Sequence, residues 1–168
     1  MWKVTISLIL IFSGFQPSLR SQCADSVNIY SFQYDGHSYE VVREMKNWAT
    51  AAACAVQRGD HLVTIENSAE QSAIYDTLIN KAGVSSNYTT VPDGGGVAYV
   101  WIGATDQMNE GQWLWDGNND SSGVNFWTGQ GAAGSGNGSP VSGAYYNWGG
   151  KGAGMAQEPD NFQNNQHY

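Results

Sequence analysis

A chain of 168 residues with seven Trp, nine Tyr and five Phe has the length of one domain and enough apolar bulk for one core. Charged residues make up only 13% of it, and that scarcity, with so many aromatics, excludes a disordered chain. Fifteen acidic against seven basic side chains, a net charge of −8, argue against a nucleic-acid partner and suit cations.

The first stretch, MWKVTISLILIFSGFQPSLRSQ, places Lys3 ahead of a mostly apolar run from Val4 to Phe15. That run is too short to span a bilayer comfortably, and Ser18 or Ser21 precedes the expected cleavage point. Residues 1–21 therefore read as a secretory signal peptide, and 22–168 as the exported domain. No later run reaches transmembrane length, so no membrane span is expected. Export permits a disulfide, and Cys23 and Cys54 are the two cysteines present. Their number allows a bridge and equally allows one buried and one free thiol.

VNIYSFQYDGHSYEVV, residues 27–42, alternates aromatic or β-branched residues with polar ones around Asp35-Gly36. The dipeptide favours a tight turn, which predicts an antiparallel hairpin. NWATAAACAVQRG is Ala-rich and helix-forming, with Trp48, Ala52 and Ala55 on one face and Gly59 as its stop. HLVTI, residues 61–65, reads as a short buried strand. NSAEQSAIYDTLINKAG reads as a second helix, opening on Ser68 and Gln71 at capping-box spacing and ending near Gly83. The order strand–strand–helix–strand–helix predicts an α+β domain and not a doubly wound parallel sheet.

YVWIGATD then reads as a strand ending in Asp106, and QWLWDG as a short aromatic strand running into a turn. From Asn118 onward the chain is Gly, Asn, Ser and aromatic with almost no period, which predicts a long loop region. Phe126, Trp127, Tyr145, Tyr146 and Trp148 need burial, so an ordered loop is expected. GQGAAG satisfies a dinucleotide-binding glycine pattern, but it neither follows a strand nor opens a helix, and we read it as loop. Three N-glycosylation sequons, at Asn87, Asn119 and Asn137, fall in expected loops and matter only in a glycosylating eukaryote.

The last twelve residues, QEPDNFQNNQHY, set Glu158 and Asp160 on either side of Pro159. A solvated turn accounts for this. So does a cation site, because hard cations collect several oxygen ligands from irregular backbone.

Taken in order, WATAAACAVQRGDHLVTIENSAEQSAI, WIGATD, EGQWLWDG, YNW and EPDNF resemble the C-type lectin-like domain over about residues 30–168. The order FWTG, Gly-rich run and AYYNW is most similar to its bacterial type. The resemblance implies a C-type lectin-like fold: two helices flanking small mixed or antiparallel sheets, with a long loop region that carries calcium and sugar. It maps the sugar-binding calcium site onto Glu158 and Asp160, across a proline that is typically cis in the family and aims both side chains at one ion. The third ligand falls at Gln166, which keeps an oxygen but loses a charge. Glu158, Asp160 and Gln166 are therefore the expected carbohydrate-binding residues as well. The family's auxiliary calcium site maps onto Asp106, Glu110 and Asn161, with His167, a poor calcium ligand, at its fourth position.

Two departures stand out. Asp160 replaces the family's Asn, so sugar preference does not transfer. The family's closing strands, with their Asn-Asp ligand pair, have no counterpart before Tyr168, which reads as a C-terminally truncated fragment. Tyr168 also stands where many members carry a cysteine.

The resemblance implies a secreted binding domain whose cofactor is Ca2+ and whose partner is a glycan or glycoconjugate. A shallow site binds one monosaccharide weakly, so avidity calls for an oligomer or a larger multidomain protein. Trp127, Tyr145 and Trp148 are the candidate rings for stacking on a sugar, with Trp148 favoured as core. Trp48, Trp101, Trp113 and Trp115 read as core by position. The alternative is a protein-binding or adhesion domain on the same fold, since Gln166 and His167 thin the ligand set. No nucleophile–base pair or metal-water motif argues for an enzyme.

Overall fold

The computed structural model describes residues 23–84, 100–129, 138–148 and 159. The expected signal peptide, residues 1–21, lies outside them. A 3-10 turn at Ser26–Asn28 leads into β1 (Ile29–Tyr34), which pairs antiparallel with β2 (His37–Val42). The hairpin turns at Asp35 and Gly36, whose φ values of 46° and 81° are the left-handed pair a two-residue loop demands. Tyr34 faces His37 and Ile29 faces Val42, so the expected hairpin forms with an unbroken register.

Helix α1 (Trp48–Arg58) starts where the Asn47 side chain accepts the Thr50 N–H, and stops at Gly59 as the sequence predicts. It buries Trp48, Ala52 and Cys54. Helix α2 (Ser68–Asn80) begins one residue earlier in its capping logic than the sequence suggests. Asn67, not Ser68, is the cap, and its side chain accepts the Glu70 N–H at 2.9 Å. Glu70 reaches back to the Glu66 N–H at 2.8 Å and accepts the Tyr39 hydroxyl at 2.9 Å. One acid thereby ties α2 to β2. Burial and that carboxylate push the Tyr39 phenol up to about 12. No helix among the described residues is long and apolar enough to cross a membrane.

The second sheet is antiparallel in the order β3 (Ala104–Thr105), β4 (Gln112–Trp115), β5 (Val124–Thr128) and β6 (Ser139–Pro140). Two of its strands lie inside the stretch expected to be loop. The reason is a bulge: Trp127 faces Trp113 and Asn125 faces Leu114, which leaves Phe126 without an opposite number. An extra residue in one strand re-aims its side chain. Phe126 and Trp127, adjacent in sequence, therefore both point into the core, 3% and 4% exposed. The Phe126 carbonyl accepts the Val141 N–H at 2.9 Å, which brings the chain after β6 onto the same edge.

The expected strand at residues 61–65 is not one. Its backbone makes two isolated bonds to two different partners: Leu62 N–H donates to the Gly117 carbonyl at 3.0 Å, and the Val63 carbonyl accepts the Gly103 N–H at 2.9 Å. No ladder can form from such a pattern. Likewise the expected strand through Trp101 is reduced to β3, because the Ile102 carbonyl accepts the Trp48 indole N–H at 2.8 Å. The Trp101 indole donates to the Lys46 carbonyl at 2.7 Å while its ring stays 39% exposed, so Trp101 is a tether and not a core residue.

Cys23 and Cys54 form a disulfide, with Cα atoms 5.4 Å apart, which decides between the two readings left open above. Closing a loop across 31 positions contributes about 3–4 kcal/mol by the chain-entropy argument. Glu44 adds a polar tie to the same N-terminal stretch. Its carboxylate accepts the Asp25 N–H at 2.7 Å and the Asn28 amide at 3.1 Å, and pairs with Lys46 at 2.8 Å. The Lys46 bond first, then the two donors, hold that carboxyl down at about 2.

Gly103 and Gly117 let residues 61–63 lie directly on the sheet edge. A Cβ at 103 would stand 2.7 Å from the Leu62 carbonyl oxygen, and one at 117 would collide with the same oxygen more severely. Gly117→Ala is expected to cost about 2–3 kcal/mol, as overpacking against fixed backbone does. The measurement is the urea midpoint, and an unshifted midpoint would contradict the close approach.

Candidate functional site

The described part of the loop region is built on four aromatic rings. Trp113, Phe126 and Trp127 are buried together with Ala104, and Trp148 packs against them half-buried. Its ring centroid lies 5.0 Å from Trp113, edge-on, and 5.7 Å from Phe126, stacked. Such pairs add about 0.5–1.5 kcal/mol beyond their buried area. Trp148 thus pins the chain to the sheet ten residues before Glu158. Pro159, the residue between the two acids, is also buried. Glu158, Asp160, Asn161 and Gln166 themselves lie outside the described residues.

Three rings were candidates for stacking on a sugar, and the structure alters two of those assignments. Trp127 is buried, with its indole N–H donating to the Gly129 carbonyl at 2.9 Å, so its face is not available. Tyr145 is half-buried and its hydroxyl donates to the Gln71 side chain at 2.8 Å, tying the loop to α2. Trp148 is core, as favoured. The exposed ring is Tyr146, 40% accessible and tilted over Trp127 at 4.9 Å. Sequence reasoning grouped Tyr146 with the rings needing burial. What separates the two tyrosines is their partners: Tyr145 is held toward α2 by its bond to Gln71, while Tyr146 leans on Trp127 from the exposed side.

Asp106 and Glu110, the candidate auxiliary calcium ligands, sit at the two ends of the turn joining β3 to β4. Asp106 is 1% exposed, and one carboxylate oxygen accepts the Gly111 N–H at 2.8 Å. Its own carbonyl accepts the Asn109 N–H at 3.1 Å. The residue closes the turn from both its side chain and its backbone. Glu110 is exposed. Asp116 does the same for the next loop: 2% exposed, it accepts the N–H groups of Asp120 at 3.2 Å and Ser121 at 3.0 Å. Among the described residues no group of three or more His, Cys, Asp and Glu is placed to hold a metal ion.

The comparisons agree with this architecture. The chain matches the Lectin C-type domain over residues 44–165. It belongs to the C-type lectin domain family. Among its relatives, Snaclec 3 of Sistrurus catenatus edwardsii is 32% identical over 65% of this chain and 63% of its own length. Snaclec coagulation factor IX/factor X-binding protein subunit B2 of Trimeresurus stejnegeri is 28% identical over 67% of this chain and 66% of its own. The match thus spans just under two thirds of each of these two relatives. Perlucin-like protein of Mytilus galloprovincialis is 28% identical over 75% of this chain and 74% of its own length. No solved structure gives a significant match.

A buried carboxylate that satisfies a backbone N–H contributes to stability whether or not calcium is present. Asp106→Ala is expected to cost about 1–3 kcal/mol, measured by denaturant unfolding in chelator and again in calcium. A loss seen only in calcium would make Asp106 a ligand in place of a turn-former.

Proposed function

We propose that this chain is an exported, calcium-dependent carbohydrate-binding domain occupying residues 22–168 behind a signal peptide at 1–21. The observation that carries the reading is the Glu158-Pro159-Asp160 motif in a chain of the C-type lectin domain family, set close behind the anchored Trp148. The donor chemistry fits a hard cation, since Glu158, Asp160 and Gln166 offer side-chain oxygens and two of the three carry charge. The order FWTG, Gly-rich run and AYYNW resembles the bacterial-type layout of the loop. We take it as layout and not as source, because the relatives named above are animal proteins.

A bound calcium ion supplies direct coordination to vicinal sugar hydroxyls. The protein's own part is to present the same carboxylate and amide oxygens as hydrogen-bond acceptors for those hydroxyls. Hydrogen bonds to charged groups contribute about 1.5–3 kcal/mol each, so Gln166, with no charge, is the weakest of the three. We assign the apolar face of the sugar to Tyr146, a reading supported by its exposure beside the buried Trp127. Asp106, Glu110 and Asn161 form the reading's second calcium site, in which the Asp106 carboxylate also accepts the Gly111 N–H. The partner is a glycan or glycoconjugate, met with useful avidity by several copies or linked domains. No catalytic role is assigned.

A second reading has its own support. One relative is named as a coagulation factor-binding protein, and Gln166 thins the calcium donor set, which together favour a protein-binding surface on the same fold. Chelation separates the two. Glycan-array binding by the full chain is expected to vanish in chelator and return with calcium. Chelator-insensitive capture of a protein partner, with no glycan signal, would favour the second reading.

A further inference from the structure

We infer that Asn119 is an N-glycosylation site of the exported protein, an inference that rests on the secretory reading of residues 1–21. Asn119-Asp120-Ser121 is an acceptor sequon, and such sequons are used on surface loops of secreted chains. The structure shows why this one tolerates a substituent. Asn119 lies exposed in the β4–β5 loop, in the left-handed conformation at φ 57° that Asn adopts readily. The bonds that fix the loop run through other groups. The Asp116 carboxylate takes the N–H groups of Asp120 and Ser121, and the Asp120 carboxylate takes the Asn118 amide at 2.7 Å and the Ser122 N–H at 2.8 Å. Asn119 contributes its backbone N–H to the Asp116 carbonyl at 2.8 Å and leaves its side chain outward.

The reaction is a group transfer without redox change. The Asn119 amide nitrogen forms a bond to C1 of an oligosaccharide carried on a lipid pyrophosphate. The C1–O bond to that pyrophosphate breaks, the lipid pyrophosphate leaves, and the amide gives up one proton. The Ser121 hydroxyl is the sequon element the transferase reads. Two further features favour the site. Met108, 58% exposed, accepts the Ser121 hydroxyl at its sulfur at 3.4 Å, so a glycan here would shade that exposed apolar side chain. The loop also leaves the Val124 end of β5, whereas the segment after Gly129 leaves the Thr128 end. The four steps of β5 from Val124 to Thr128 place those ends about 13 Å apart, so the glycan's loop lies at the end of the strand away from Thr128. Asn87 and Asn137 lie outside the described residues.

The test is expression of the full chain with its own N-terminus in a eukaryotic secretory host, followed by N-glycanase and peptide mass spectrometry. The expected result is conversion of the residue at position 119 to aspartate by the enzyme, abolished in both Asn119→Gln and Ser121→Ala. An exported chain with an unmodified peptide around position 119 would overturn the site. A chain retained in the cytosol without modification would overturn the export reading on which it rests.

Discussion

The structure depends on one close approach. Residues 61–63 lie against the edge of the second sheet because Gly103 and Gly117 present no side chain there, and both glycines bond that segment through their backbones. The segment is the link between α1 and α2, so this contact docks the helical half on the sheet half. Two indoles reinforce it in reciprocal fashion: Trp48 donates to the Ile102 carbonyl, and Trp101 donates to the Lys46 carbonyl. A buried polar group without a partner costs more than its bond returns, so the Trp48 bond holds the two halves in one register, and the Trp101 bond adds a tie at the surface.

The acids at the two ends of β4 follow the same rule of satisfied polar groups. Asp106 and Asp116 are almost wholly buried, and each takes up N–H groups of its own turn that the strands leave unpaired. They shape the two loops at the ends of β4. The aromatic cluster of Trp113, Phe126, Trp127 and Trp148 then fastens the returning chain onto the sheet. The result is a platform of packed rings, with the exposed Tyr146 as its outward one.

Much of this was legible in the sequence wherever a single local rule dominated. Asp35-Gly36 specified the hairpin, and Gly59 the end of α1, because each position requires a conformation few residues adopt. The segment 61–65 misled because an apolar run looks alike whether it joins a ladder or makes two separate backbone contacts. Strand β5 was hidden for the opposite reason: Phe126-Trp127 breaks the period of two, and only the bulge restores it. Trp101 shows that an indole can be placed by its N–H and not by its ring. The Cys23–Cys54 bridge was undecided, since spacing alone does not bring two thiols together. For the candidate site, the motif around Pro159 was readable as chemistry from residue types, while the tyrosine that faces outward required the fold.

The account joins a scaffold set by backbone contacts to a pair of carboxylates split by a buried proline, and its central claim is that this pair binds calcium. The most direct measurement is a calorimetric calcium titration of the chelator-stripped full chain beside the Glu158→Gln/Asp160→Asn variant. The account predicts binding heat in the first and none in the second, with the two unfolding at the same urea midpoint in chelator. No heat from the unaltered chain, or equal heat from both proteins, would contradict it.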